Sequence, residues 1–179
     1  KRLRCGYTTG TCAAAAAQAC GQALLVGGFP HSLRIDTPAG VAVVVEPEEM
    51  HRGTDAQGAP WASCGVRKDA GDDADATDGA LVVVRVSLVN TPGTTIEGGA
   101  GVGRVTRAGL DQPVGAAAIN SVPRAMIASE LERIAREHGW QGGFAVEVSV
   151  PGGEEIARKT FNPRLGIEGG VSILGTSGI

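Results

Sequence analysis

The sequence predicts an α+β fold, and three observations carry that expectation. Two segments read as helix, near the start and at Ser121–His138. Strand patterns cluster between and after them, the strongest being Leu81–Val89, which is mostly valine. Strands and helices do not alternate in the regular way that a doubly wound parallel sheet requires. The 179 residues, 42% apolar and 20% charged, suffice for one domain with a real core, or for one domain and the start of another.

In chain order, Thr11 is the expected N-cap of a helix over residues 12–25, with Gly27 and Gly28 as its stop. Residues 32–36 and 40–46 read as short strands around the turn "TPAG". The polar stretch 47–60 reads as loop, and 62–66 as a short strand leading into "RKDAGDDADATDGA". Residues 90–118 hold many glycines without a clear period, which suggests a long functional or clamping loop. For the second helix, Ser121 is the expected cap, Pro123 suits the first turn, and Gly139 the end. Met126, Ile127, Leu131 and Ile134 share one face, and Glu132 pairs with Arg136. Phe144, Val146, Val148 and Val150 alternate with Ala145, Glu147 and Ser149, "PGG" turns the chain, and 155–160 returns as the second arm of a hairpin. A last apolar strand, 171–174, runs into "GTSGI".

Composition excludes several function classes. Net charge is −3 and aromatics are 3%, so neither the basic balance nor the stacking side chains of a nucleic-acid binder is visible. No apolar run approaches the ~20 residues of a membrane span, and the basic opening at residues 1–4 leads into a helix rather than a signal segment. Cys5, Cys12, Cys20 and Cys64 show no CxxC spacing and read as reduced packing thiols of a cytoplasmic protein. No zinc motif or nucleophile elbow occurs. Setting Asp73 and Asp75 at the first ligand positions of a calcium loop puts Asp78 where glycine is required and Val84 where glutamate is required. "GGAGVGRVT" fails the dinucleotide pattern because Thr106 stands at the last glycine.

The features that remain point to an anion. Five alanines at 13–17 follow "TTGT", so a helix with almost no side chains opens on hydroxyls and backbone N–H groups. Its bareness suggests that something large lies against it, with Thr8, Thr9, Gly10 and Thr11 as donors. Arg124, in the first turn of a helix, opposes the favoured sign of the dipole there and wants an anionic partner.

The segments "LRCGYTTGTCAAAAAQA", "GVRKDAGDDADATDGA", "GVGRVTRAGL", "AINSVPRAMI" and "KTFNPRLGIEGGVSILGTSGI", in this order and spanning almost the whole chain, resemble the CbiD family. These are cobalt-precorrin-5B C(1)-methyltransferases of anaerobic cobalamin biosynthesis. The chain departs from the family at Asp73-Ala74-Asp75, commonly Asp-Pro-Asp, and at Thr77-Asp78-Gly79, commonly Thr-His-Gly. Ala108 and Ser121 also stand where proline is usual.

The resemblance implies a two-layer α+β domain over 1–165, similar to the second domain of ribosomal protein S5. It implies that 166–179 is the first strand of a C-terminal α/β methyltransferase-like domain whose remainder is absent from this chain. The implied reaction methylates carbon 1 of a cobalt corrinoid with S-adenosylmethionine, cobalt being part of the substrate only and no metal being held by the protein. The alternative is a non-catalytic corrinoid-binding or assembly domain. A carboxylate-rimmed macrocycle needs cations and N–H donors around an apolar floor. Thr8, Thr9, Gly10, Thr11, Lys68, Asn120, Arg124, Asn162 and Arg164 are the expected substrate contacts. Asp69 and Asp73 are the expected bases, and Gly175, Thr176 and Ser177 the expected neighbours of the methyl donor. The expected partner is the corrinoid, with no nucleic acid, no membrane, and a homo-oligomer as an option.

Overall fold

The computed structural model describes residues 2–179, so Lys1 of the basic opening lies outside them. Helix α1 (Thr9–Leu25) begins earlier than expected, because Thr8 and not Thr11 is its cap. Thr8 is extended (φ −81°, ψ 164°), and its Oγ1 accepts from the Thr11 N–H at 3.1 Å. Three threonines within four residues could each serve; the extended backbone at Thr8 decides between them. All five alanines at 13–17 are fully buried. They are enclosed by strands β4 (Pro60–Arg67) and β5 (Leu81–Val89) and by helix α2 (Ser121–His138). The bare helix therefore corrects the expectation of an open face. Its small side chains let it sit between a sheet and a second helix, and no face is left for a guest.

Before the main sheet, β1 (Leu33–Asp36) and β2 (Ala42–Val45) form the expected hairpin around "TPAG", with Gly40 at φ +78°. The main sheet has five strands in the order β3-β4-β5-β8-β6, where β3 is Glu48–Thr54, β6 Gly93–Gly98 and β8 Gly143–Ser149. β3 lies inside the stretch expected to be loop. It is an edge strand exposed along nearly its whole length, so no apolar alternation marks it. β6 lies in the glycine-rich stretch and pairs parallel with β8, Ile96 opposite Val146. The other side of β8 pairs antiparallel with β5, Val84 opposite Val148. The sheet is thus mixed.

No strand forms over 155–160. Gly152 is left-handed (φ +74°), and Gly153–Ala157 makes the short helix α3 instead. α2 has the expected range and ends at left-handed Gly139. Its cap is Asn120 rather than Ser121; the Asp111 carboxylate accepts from the Ser121 N–H (2.8 Å) and hydroxyl (2.9 Å). The ion pairs on α2 run from Arg133 to Glu130 and Glu137, not from Glu132 to Arg136.

Val82, Val84, Val86, Phe144, Val146 and Val148 are buried on the face that meets the helices. On the opposite face the Arg85 guanidinium stacks 4.2 Å above the Trp61 ring. One face of the sheet makes the core, and the other meets solvent.

The last part of the chain returns to this core. After α4 (Asn162–Leu165), the short strand β9 (Ile167–Glu168) pairs with β7 (Arg104–Val105). Val171 then bridges Val102, Ile173 bridges Ile119, and both are buried. At Gly101 (φ +79°) three segments cross: a Cβ there would fall on the Val150 carbonyl, and one on Gly153 or Gly170 would fall on the Gly101 carbonyl. Of the glycines at 90–118, Gly101 and Gly103 belong to this crossing of backbones, Gly103 lying against Gly170.

Candidate functional site

The opening of α1 faces the end of β4 and the loop after it. Lys68, one residue beyond β4, is only 7% exposed, and its N–H donates to the Ala80 carbonyl at 2.8 Å. Its Nζ lies 2.9 Å from Asp75 Oδ2. A half-open hollow of about 200 Å³ is lined by Thr8, Thr9, Lys68, Asp75, Thr160 and Asn162, among others. A second hollow, about 360 Å³, is bordered by Arg4, Tyr7 and Asp73 and shares Thr8, Lys68 and Asp75 with the first. The Lys68–Asp75 pair is therefore the partition between two adjoining hollows.

Asp75 is held in place by its own loop. Its Oδ1 accepts from the Thr77 N–H and hydroxyl, both at 2.7 Å. Burial pushes the carboxyl up, but the hydrogen bonds from Thr77 and Lys68 outweigh it and hold the group at about 2. Lys68 has three N–H donors, and Asp75 is their one acceptor among the described residues. The ammonium can therefore meet an anion in either hollow while its counter-charge stays ionised. Because the folded carboxyl lies below its ordinary 3.8, it stabilises the fold above about pH 4, and that contribution is lost as pH falls through about 2. Asp75→Asn should accordingly be less stable than the unaltered protein in urea at pH 5 to 7, with the gap closing by pH 2.

The structure brings Thr8, Thr9, Lys68 and Asn162 together and leaves other expected residues elsewhere. The donors at the start of α1 are largely occupied by residues 174–178. The Thr8 and Gly10 N–H groups donate to the Gly178 (3.1 Å) and Leu174 (3.0 Å) carbonyls. Thr11 Oγ1 donates to the Gly178 carbonyl at 2.9 Å, and Thr9 Oγ1 accepts from the Leu174 N–H at 3.1 Å. "TTGT" is thus a clasp for the chain's own later residues before it is an anion cradle. Arg124 does not reach either hollow. Its guanidinium donates to the carbonyls of Ile119 (2.6 Å), Ala117 (3.3 Å) and Ile96 (3.4 Å), so backbone oxygens replace the expected carboxylate. Burial lowers its pKa. Asn120 stands at the N-cap of α2 without a side-chain cap bond and does not line the two hollows.

Of the expected bases, Asp69 is ion-paired with Arg4 at 2.6 Å and held below the usual carboxylate range, mainly by that hydrogen bond and by the Gly71 N–H. Asp73 is exposed and borders the second hollow. Gly175 packs against Thr8, where a Cβ would collide with the threonine side chain. Thr176 is exposed, and the Ser177 carbonyl accepts from the Ala39 N–H at 2.9 Å. None of residues 175–177 lines the two hollows. Arg164, in α4, is exposed and borders a separate hollow with Phe161 and Thr160.

Sequence reasoning missed Asp75, Thr77, Thr160 and Ser172 as lining residues. The Asp-X-Thr spacing at 75–77 was the available signal for a carboxylate fixed by its own turn. The buried thiols offer no competing site. Burial pushes Cys12 up to about 12, and the Cys20 and Cys64 sulfurs share a hydrogen bond at 3.7 Å in the core.

A family model described as CbiD matches residues 1–179. The chain belongs to the CbiD family. A cobalt-precorrin-5B C(1)-methyltransferase from Ruminiclostridium cellulolyticum is 49% identical over 100% of the chain and 45% of the relative. Proteins of the same name from Burkholderia cenocepacia and Geobacillus kaustophilus are each 51% identical, over 99% and 100% of the chain and 48% and 47% of the relatives. The crystal structure of the cobalamin biosynthesis protein CbiD from Archaeoglobus fulgidus is similar at a TM-score of 0.69 and 36% identity, covering 98% of this chain and 54% of that one. The chain thus spans about half the length of the CbiD relatives it matches. No described helix is long and apolar enough to cross a membrane.

Proposed function

We propose that the protein carrying this chain methylates carbon 1 of cobalt-precorrin-5B with S-adenosylmethionine, giving cobalt-precorrin-6A, in the cytoplasm. The carrying observation is the near-half identity, along the whole chain, to relatives named for that reaction. In such a transfer a nucleophilic ring carbon attacks a sulfonium methyl in line, and the protein's work is alignment and exclusion of water. Lys68 receives a rim carboxylate, Asp75 holds Lys68 between the two hollows, and Thr8, Thr9 and Asn162 line the same wall. A carboxyl held at about 2 is a weak proton acceptor near neutrality, so Asp75 positions rather than abstracts. Asp73, beside the second hollow, is the base of choice among those expected.

In this reading residues 1–165 form a domain similar to the second domain of ribosomal protein S5. Residues 166–179, packed on that domain, also begin the α/β domain that binds the donor, with Gly175, Thr176 and Ser177 near it. S-adenosylmethionine supplies an electrophilic methyl group when bound. The test uses the full-length protein with cobalt-precorrin-5B and methyl-labelled S-adenosylmethionine. Label is expected in the corrinoid product. Corrinoid binding without label transfer would make this a binding or assembly protein instead.

A further inference from the structure

We propose that the turn at residues 159–164 is a second anchoring platform for the same carboxylate-rimmed macrocycle, with Phe161 under the ring and Lys159 and Arg164 on its rim. The proposal rests on the corrinoid reading above and adds residues to it. Phe161 is 72% exposed and Leu165, four residues on, is 53% exposed, so the turn and α4 present two large apolar side chains to solvent. Phe161 borders a hollow of about 310 Å³ together with Lys159, Thr160, Pro163 and Arg164. Thr160 also lines the Lys68 hollow, so the two spaces adjoin.

The exposure of Phe161 is imposed by a pinned backbone. Thr160 Oγ1 donates to the Ala157 carbonyl at 2.7 Å and accepts from the Asn162 N–H at 3.2 Å. Asn162 Nδ2 donates to Ser172 Oγ at 3.2 Å. Arg107 donates to the Arg164 carbonyl at 2.9 Å, and the Thr106 N–H to the Gly166 carbonyl at 2.7 Å. The turn is thus tied to the body of the domain from both sides, and the ring faces solvent because its backbone is fixed.

The cations around it differ in their freedom. Arg158 is paired with Glu155 and Glu154. Lys159 and Arg164 are exposed, and neither has an ion-pair partner among the described residues. An apolar face between two unpaired cations, next to a buried third at Lys68, matches a flat ligand with an apolar body and several carboxylates. A neutral ligand would leave the cations idle, and a simple anion would leave the ring idle.

The test titrates the full-length protein with two probes followed by their absorbance: dicyanocobyrinic acid, whose side-chain carboxylates are free, and dicyanocobinamide, the same ring with those groups amidated. The double variant Lys159→Ala/Arg164→Ala should weaken the acid about tenfold or more at low salt and leave the amide within about twofold. Phe161→Ala should weaken both probes, by roughly fivefold or more. These side chains are exposed, so melting temperatures should stay at the unaltered value. Unaltered affinity of both variants for the acid overturns the platform alone, and is also the result if this face receives another protein segment. Failure of the unaltered protein to bind either probe overturns the corrinoid reading itself.

Discussion

Gly101→Ala is expected to cost the fold about 3 kcal/mol or more, a large part of the roughly 5–15 kcal/mol by which a domain is usually stable. Two penalties act at once. The residue sits at φ +79°, where a side chain is strained whatever the space around it. The new methyl would also fall on the Val150 carbonyl oxygen, a backbone atom that cannot rotate away. Relief requires parting segments held by the Val150 N–H to the Ala100 carbonyl and the Val171 N–H to the Gly101 carbonyl, both at 2.9 Å. Gly58→Ala gives the comparison: it has a similar φ of +82° but nothing near the new atom. It should cost only the strain, about 1 kcal/mol. Urea midpoints for the two variants measure the difference, and equal midpoints would show that the crossing gives way easily.

Lys68→Met should lower corrinoid affinity, or kcat/KM, roughly 10- to 100-fold, the usual worth of a hydrogen bond to a charged group. Methionine keeps most of the length and apolar stem, so packing beside Thr8 and Thr9 survives. The stranded partner, Asp75, has a 41% exposed side chain and keeps its bonds from Thr77. It can therefore be solvated, and the melting temperature should fall by only a few degrees. Titration with dicyanocobyrinic acid reads the affinity, and a thermal melt reads the fold. Normal affinity in a folded variant would take Lys68 out of the site.

The parts of the fold that could be read from sequence are those whose partners are near or whose periodicity is strong. α2 shows an apolar face and a terminal glycine, and β5 is a run of valines that any sheet would bury. β3 and β6 left no such trace. One is a polar edge, and the other is defined by a parallel partner some fifty residues away, Ile96 to Val146. Residues 155–160 misled because the real constraint, Gly153 crossing Gly101, lies outside any local window.

The site divides in the same way. The family resemblance named Lys68, Thr8, Thr9 and Asn162 as contacts of one ligand, and geometry brings them to one hollow. Arg124 could not be read, since backbone carbonyls that satisfy a guanidinium have no signature in side-chain identity. The alanines were ambiguous for a physical reason. Small residues are required wherever anything comes close, and a sequence does not say whether that neighbour is a ligand or the protein's own sheet.

The clasp between the start of α1 and residues 172–178 joins partners 163 to 170 positions apart. On a ribosome adding about 5–20 residues per second, the helix emerges roughly ten to thirty seconds before the groups that complete its first turn. During that wait the first turn of the helix has no anchor, and its alanine flank stays uncovered until β4, β5 and α2 have followed, a period in which a chaperone would have most to protect.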